Sequence, residues 1–240
     1  MRRFVLTVLL ALFALCAGPG RGRCACDLGA LGKDVRPIIP IRPGDFVRVE
    51  GDHLVLGGRP FAFVGANVDP LHGEVQRQSA CGLFQALRRD GMSVARVWAL
   101  GEGMPDGNPW SRRHALFRAG PIGYLDHAYD ALDEAVETAR AAGVRLIITL
   151  SNHWGDYGGI PMYLRWAGLP DGDPTFEAFY RDPRTRGFYR DHVVRLLTRV
   201  NRRTGVRYVD DPTIMAWELM NESTVRTPAG AAARRAWIVE

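Results

Sequence analysis

The sequence has 240 residues, of which 47% are hydrophobic and 24% are charged, a composition typical of a single globular domain. Its net charge of +5 comes almost wholly from scattered arginines, because Lys33 is the only lysine. A basic stripe with interleaved aromatic residues is missing, so nucleic-acid binding is not expected. The cysteines, Cys16, Cys24, Cys26 and Cys81, lack zinc-site spacing, and cleavage of a leader would remove one or two of them, so they define no disulfide framework. We predict no metal site.

The N-terminal segment has the form of a secretory signal peptide. Arg2 and Arg3 give it a basic start, and Phe4–Ala17 is an apolar run too short for a comfortable membrane span. We therefore predict that residues 1–25 are a signal peptide and that the mature protein is secreted and not bound to a membrane. A lipid anchor on Cys16 is the alternative, but the large residues just before it do not suit that signal.

The remaining chain reads as one domain, 45–240, preceded by an N-terminal linker, 26–44. The domain opens with a predicted hairpin turning at Gly57–Gly58, which runs into a buried strand at Phe61–Ala66. Helices and strands then alternate. The predicted helices, each ending at a glycine, cover 77–91, 124–143 and 182–205, and the strands that follow them cover 93–100, 144–150 and 214–221.

This alternation predicts parallel βαβ units whose strands are buried on both faces. A glycine-rich phosphate loop does not follow any of the strands, so a doubly wound nucleotide-binding fold is disfavoured.

Polar residues gather at the carboxyl ends of the predicted strands. They are Asn67, Arg96 with Trp98, the segment 151–154, and Asn221–Glu222. The carboxyl ends of the strands form the active-site face of a (β/α)₈ barrel, so these side chains are expected to converge. A carboxylate at the tip of a buried strand must be paired or used, because its burial costs several kcal/mol.

The number of strands limits how much of a barrel this sequence contains. Phe61–Glu222 supplies four predicted strands, whereas a typical barrel has eight in about 250 residues. We therefore expect a (β/α)₈ barrel truncated after about strand 4, with unpaired strand edges.

Several segments resemble the endo-β-1,4-mannanases of glycoside hydrolase family 5, a family of the retaining (β/α)₈ glycosidase clan. They are FVRVEGDHLVLGGRPFAFVGAN, ARVWAL, LIITLSNHWGDYGG and RDPRTRGFYRDHVVRLLTRVNRRTGVRYVDDPTIMAWELMNE. The similarity to plant-type enzymes is strongest in TGVRYVDDPTIMAWELMNE. The resemblance covers Asp45–Glu222 in order. It implies a secreted hydrolase that cleaves internal β-1,4 linkages of mannan or galactomannan with retention and without a cofactor. The alternatives are a β-1,4-glucanase of the same clan and a non-catalytic, carbohydrate-binding half barrel.

The resemblance also implies roles for three residues. Glu222 corresponds to the general acid/base, which protonates the leaving oxygen and then activates water. Asn221 would hydrogen-bond the 2-hydroxyl of the sugar at the cleavage point, and Arg96 would keep a nucleophilic carboxylate ionised.

Substrate contacts are predicted for the aromatic and polar residues nearby. Trp98, Trp154 and Trp110 could stack on sugar faces, with packing inside the fold as the alternative. Asn152 and His153 lie where the clan places polar substrate contacts, although a histidine with a structural role is equally compatible with the sequence.

The chain departs from the family pattern in two ways. The family reads Asn–Glu–Pro–Arg where this sequence has Ser223 and Thr224 after the glutamate. The strand-7 nucleophile has no counterpart, and Glu102 is the nearest other carboxylate candidate. Glu218 is predicted to pack against a helix with a partner. We therefore expect residues 1–240 alone not to hydrolyse mannan.

Overall fold

The computed structural model describes residues 39–68, 74–103, 116–172 and 176–240. The predicted signal peptide, most of the predicted linker and Trp110 lie outside the described residues. Within them, strands and helices follow in an order close to the predicted one. The strands are β1 Arg48–Glu50, β2 His53–Leu56, β3 Arg59–Pro60, β4 Gly65–Asn67, β5 Val94–Trp98, β6 Arg145–Thr149 and β7 Ile214–Glu218. The helices are α1 Glu74–Arg89, α2 Asp126–Ala142, α3 Gly159–Trp166, α4 Pro183–Thr198 and α5 Pro228–Val239.

The predicted hairpin is confirmed. Strands β1, β2 and β3 pair antiparallel, and Gly57 and Gly58 have φ values of 58° and 74° in the turn between β2 and β3. The strand predicted at Phe61–Ala66 is shorter and later, because β4 covers only Gly65–Asn67 and is largely exposed. It pairs only with β5 in the described sheet, and a Cβ at Gly65 would lie 2.8 Å from the Val94 carbonyl oxygen. The glycine thus permits the close approach of the two backbones.

The second sheet contains the predicted parallel strands in chain order, β4-β5-β6-β7. Asn67 lies opposite Arg96, and Thr149 lies opposite Glu218. The ladder continues beyond the strands, where Asn152 is bridged to Asn221. The parallel register therefore brings the polar residues after each strand to one edge of the sheet.

Two helix boundaries illustrate how the sequence sets the ends of elements. Helix α2 ends as predicted, with Gly143 in the left-handed conformation at φ 67°. The helix predicted to end at Gly205 stops at Thr198 instead. The Asn201 side chain accepts from the backbone N–H groups of Arg203 and Thr204 and stabilises a turn there. An asparagine that bonds backbone groups locally competes with helix formation. Helices α3 and α5 were not predicted.

The hydrophobic core lies between the second sheet and its helices. Buried residues of β5 and β6, including Val97 and Ile148, belong to one cluster with Val136 and Ala139 of α2. Full burial of a valine or isoleucine side chain of this kind stabilises the fold by about 1.5–3 kcal/mol. Cys81 on α1 is disulfide-bonded, whereas the sequence had defined no disulfide framework. None of the helices among the described residues is long and apolar enough to span a membrane.

Candidate active site

Arg96 is the centre of a polar network at the carboxyl ends of the parallel strands. Its guanidinium donates to Asn67 Oδ1 at 2.8 Å, to Glu218 Oε2 at 2.6 Å and to Asn221 Oδ1 at 2.8 Å. The Arg96 side chain is 24% exposed. Because these partners come from β4, β7 and the segment after β7, one side chain on the inner strand β5 links it to both outer strands of the described sheet.

Glu218 belongs to this network. It has a charged partner, as predicted, but its hydrogen bonds come from the strand residues Arg96 and Thr149 and not from a helix. Its Oε2 atom accepts from Thr149 Oγ1 at 2.6 Å as well as from Arg96. Partial burial by itself raises the pKa of Glu218, but the hydrogen bonds from Arg96 and Thr149 and the arginine charge outweigh it, so the pKa lies below its ordinary value. The helix part of the prediction was wrong because alternation along a strand shows which residues share a face, but not which face meets the polar edge of the sheet.

Asn221 links the Arg96 network to the loop that follows β6. Its Nδ2 donates to Asn152 Oδ1 at 2.9 Å, while the same oxygen accepts from the Trp154 backbone at 3.3 Å. The Trp154 indole N–H in turn donates to Glu222 Oε2 at 2.6 Å. The predicted site residues Arg96, Asn221, Asn152, Trp154 and Glu222 therefore form one continuous chain of hydrogen bonds. Trp154 is 39% exposed, so its ring is available to a ligand.

Glu222 stands on a tight turn that is fixed on both sides. Its φ is +51°, a left-handed conformation that a non-glycine residue adopts only at a cost of about 1–3 kcal/mol. The following residue, Ser223, shares a hydroxyl–hydroxyl hydrogen bond of 2.9 Å with Tyr180, and its carbonyl accepts from Arg234 at 2.6 Å. These contacts hold the strained turn and thereby position the exposed Glu222 carboxylate.

A second anchor holds the chain four and five residues beyond Glu222. The Glu177 carboxylate accepts from the backbone N–H of Arg226 at 3.2 Å, and from the N–H and hydroxyl of Thr227 at 2.9 and 2.7 Å. The hydrogen bond from the Thr227 hydroxyl is the main reason that the pKa of Glu177 lies below its ordinary value. Thr227 also caps α5 by accepting from Gly230 N. Together these contacts fix the path of the chain after the site without the family's proline.

Two predicted substrate-binding residues are placed differently from the rest. The Arg96 guanidinium carbon lies 5.9 Å from the centre of the Trp98 ring, and this ring packs edge-to-face on Tyr157. His153 is fully buried between Trp154 and Phe176, and neither ring nitrogen has a hydrogen-bond partner among the described residues. Burial lowers the pKa of His153 against the opposing influence of nearby Glu222. His153 therefore packs edge-to-face against the Trp154 ring and supports its position.

Glu102, the nearest other carboxylate candidate, is fully buried and serves the loop after β6. It accepts from the Ser151 hydroxyl at 3.0 Å, the Tyr163 hydroxyl at 3.0 Å and the Gly159 backbone N–H at 3.2 Å. Burial raises the pKa of Glu102, although Arg118 and the hydrogen-bond donors act in the opposite sense. This carboxylate therefore holds both ends of the loop that carries Asn152 and Trp154.

Sequence reasoning missed the residues that support the site rather than line it. They are Thr149, Glu177, Tyr180 and Arg234. Thr149 could have been found from the sequence, because it is the polar residue at the end of β6. It lies opposite Glu218 on β7. The others come from segments remote in sequence and carry no local pattern. Among the described residues, groups of three or more histidine, cysteine, aspartate or glutamate side chains suited to hold a metal ion are absent.

Comparison with known proteins assigns the chain to a family. Residues 44–240 match the family model described as GH family 5 beta-mannosidase-like. The chain belongs to this branch of glycoside hydrolase family 5.

Curated relatives from plants are similar over most of the chain. Mannan endo-1,4-beta-mannosidase 1 of Oryza sativa subsp. japonica is 34% identical over 206 residues, which are 82% of this chain and 45% of the relative. Mannan endo-1,4-beta-mannosidase 7 of Arabidopsis thaliana is also 34% identical, over 88% of this chain and 47% of the relative. The chain therefore spans less than half the length of these relatives.

Solved structures agree on the fold. The endo-1,4-beta-mannanase of Rhizomucor miehei matches 80% of this chain and 55% of its own with a TM-score of 0.64 and 26% identity. The endo-beta-1,4-mannanase of Thermotoga petrophila matches with a TM-score of 0.61 and 28% identity over 75% of this chain and 39% of its own. The four parallel strands and their helices are thus part of a (β/α)₈ barrel, as predicted.

Proposed function

We propose that this chain carries the acid/base half of the active site of a secreted endo-β-1,4-mannanase that cleaves with retention. The observation that carries the proposal is the connected set Arg96–Asn221–Asn152–Trp154–Glu222, which presents an exposed carboxylate beside an exposed indole. The names of the similar plant and microbial proteins, all mannan-degrading, support mannan as the substrate.

In this proposal, Glu222 donates a proton to the leaving glycosidic oxygen and then removes one from the incoming water. The indole N–H of Trp154 keeps the carboxylate at one orientation throughout, since its bond to Oε2 leaves the other oxygen free to reach the substrate. Asn221 contributes its amide beside the same sugar. General acid help of this kind accelerates a reaction by roughly 10²–10⁴.

Retention also needs a second carboxylate, about 5–5.5 Å from the first, to attack the sugar. Neither nearby candidate suits this role. Glu218 has its Oε2 engaged by Arg96 and Thr149, and Glu102 is enclosed by Ser151 and its neighbours. We assign the nucleophile to none of the described residues, and we expect residues 1–240 to lack hydrolytic activity on mannan by themselves.

The substrate assignment is tested by binding and by turnover. Mannohexaose is expected to quench the tryptophan fluorescence of the purified chain at lower concentration than cellohexaose, and Trp154→Phe is expected to remove most of that response. Equal responses to the two sugars would contradict the choice of mannan. Release of reducing ends from galactomannan that vanishes in Glu222→Ala would refute the absence of a second carboxylate.

We also propose that the protein is exported. The form of residues 1–25 supports this, and the disulfide at Cys81 fits an oxidising compartment. Residues 1–30 fused to a reporter without its own leader should carry the reporter out of the cytoplasm. A matched fusion with Arg2 and Arg3 changed to glutamate should export less, and an uncleaved cytosolic reporter would contradict the proposal.

A further inference from the structure

The residues at the heart of the candidate site also form an acceptor motif for N-linked glycosylation. Asn221–Glu222–Ser223 fits the pattern Asn-x-Ser/Thr, in which x is not proline. In the full sequence, all other asparagines lack serine or threonine two positions later. The motif exists because Ser223 occupies the position where the family pattern has proline. A chain that passes through a glycosylating secretory pathway would therefore present its site asparagine as a target.

In the folded protein the two side chains that define this motif are already hydrogen-bonded. The Asn221 side chain donates from Nδ2 to Asn152 Oδ1 and accepts at Oδ1 from Arg96, and the residue is only 9% exposed. The Ser223 hydroxyl is bonded to Tyr180 at 2.9 Å. Between them, Glu222 has a φ of +51°, which bends the backbone of the motif into a turn.

The chemistry of glycan transfer cannot take place on this arrangement. A lipid-diphosphate-linked oligosaccharide supplies the sugar, and its C1 carbon forms a bond to Asn221 Nδ2. The C1–oxygen bond to the diphosphate breaks and its electron pair leaves with the diphosphate, while one Nδ2 hydrogen is lost as a proton. The attacking nitrogen must face the donor, but in the fold it faces Asn152, which is 1% exposed. A sugar that replaced the hydrogen donated to Asn152 would occupy the space of Asn152, and a sugar in place of the other hydrogen would need room beside a residue that is only 9% exposed.

We propose that Asn221 is an N-glycosylation acceptor only before the chain folds, and that a glycan there and the Arg96–Asn221–Asn152 network exclude one another. This inference depends on the proposed export. A glycosylated chain loses the link between β5 and the loop after β6, so it cannot position Glu222. The longer a newly made chain stays unfolded, the larger the fraction of chains that is glycosylated and so fails to form the site.

The test uses the full 240-residue chain behind a leader native to a glycosylating eukaryotic host, so that entry into the secretory pathway does not depend on residues 1–25. Limited proteolysis separates folded from unfolded product. Complete trypsin digestion then yields the peptide 208–226, which contains Asn221, and its mass reports the glycan. Deglycosylation in ¹⁸O-labelled water marks the modified residue.

We expect the glycan on peptide 208–226 from the protease-sensitive fraction and its absence from the protease-resistant fraction. A glycan on the protease-resistant chain would overturn the proposal, as would its absence from both fractions.

Three variants separate the motif from the contact that Ser223 makes. Ser223→Ala removes the motif and should abolish the modification, whereas Ser223→Thr keeps both the motif and a hydroxyl and should remain modified. Tyr180→Phe removes the same hydroxyl contact but leaves the motif intact. It should raise the glycosylated fraction, because folding then competes less well. An unglycosylated Tyr180→Phe chain would contradict the proposed competition.

Discussion

At the scale of single residues, the site depends on how one cation is shared. Arg96 donates to the Asn67 amide, the Glu218 carboxylate and the Asn221 amide. Each of its three guanidinium nitrogens therefore has an acceptor. Hydrogen bonds to charged groups contribute about 1.5–3 kcal/mol each, more than neutral ones. The pairing with Glu218 also explains why an arginine can lie at the centre of the strand ends, where an unpaired charge would be costly.

We predict that Glu218→Gln destabilises the protein by about 1–2 kcal/mol at neutral pH. The value lies below the 3–5 kcal/mol of a fully buried pair because the Glu218 and Arg96 side chains are 32% and 24% exposed. Denaturant unfolding measures it. Asp210→Asn, which breaks the more exposed pair with Arg207, is the control and should cost less than about 1 kcal/mol.

The same variant has a defined pH dependence. The pKa of Glu218 is lowered in the folded state from an ordinary value of 4.5, so its stabilising contribution is fully present above pH 4.5. It is lost as the pH falls through the lower, folded-state pKa. The stability difference between wild type and Glu218→Gln should therefore shrink as the pH falls below 4.5. A difference that grows on acidification would mean that Glu218 is not held as a carboxylate.

At the scale of elements, the loop after β6 is shaped by consecutive left-handed residues. Tyr157, Gly158 and Gly159 have φ values of 61°, 106° and 53°, and the Gly159 N–H donates to the Glu102 carboxylate. The turn brings the backbone back onto the carbonyl groups of Asn152 and Trp154. The position of the indole that contacts Glu222 therefore depends on glycines outside the strand and on a buried carboxylate behind it.

We predict that Gly159→Ala destabilises the protein more than Gly168→Ala. Both glycines have positive φ, 53° and 67°, so both alanines face the conformational cost of about 1–2 kcal/mol. A Cβ at Gly168 has open space, whereas one at Gly159 would overlap the carbonyl oxygens of Trp154 and Asn152. The overlap should add about 1–3 kcal/mol.

Denaturant unfolding gives the two costs, and the fluorescence emission of Trp154 should shift only in Gly159→Ala. Equal costs for the two variants would show that the loop moves aside freely.

At the scale of the whole molecule, the described parallel sheet has an outer strand on each side. Strands β4 and β7 each pair with a single neighbour, which leaves backbone donors and acceptors along two edges. Such edges are templates for pairing with another chain. Leu219, just after β7, is 37% exposed, and Val64, just before β4, is 63% exposed, so apolar surface accompanies the edges.

We therefore predict that residues 1–240, purified alone, associate with increasing concentration. Sedimentation velocity over a hundredfold concentration range should show the mean mass rising above that of one chain. Raising the salt concentration is the control, because backbone pairing and apolar contact should not weaken as surface ion pairs do. A single monomeric species at all concentrations would contradict the prediction.

Much of this protein follows from its sequence alone. The alternation of helices and strands, the glycine that closes α2 at Gly143 and the hairpin turn at Gly57–Gly58 are local, because backbone conformation and hydrophobic period are written in neighbouring residues. The parallel order of the strands also follows, and with it the convergence of Arg96, Asn152, Trp154 and Asn221–Glu222 at one edge.

Only the tertiary structure decided which partner each polar group takes. The sequence predicted that Glu218 packs against a helix and left Glu102 as a candidate second carboxylate. In the fold, Glu218 pairs with Arg96, and Glu102 is buried and hydrogen-bonded to Ser151. The sequence also placed the end of α4 at Gly205, seven residues too late. The contacts of Glu218 and Glu102 join segments that are distant along the chain, and the end of α4 depends on a side chain that bonds nearby backbone. Such hydrogen bonds depend on which atoms lie close together in the folded chain, and a linear sequence does not give those distances.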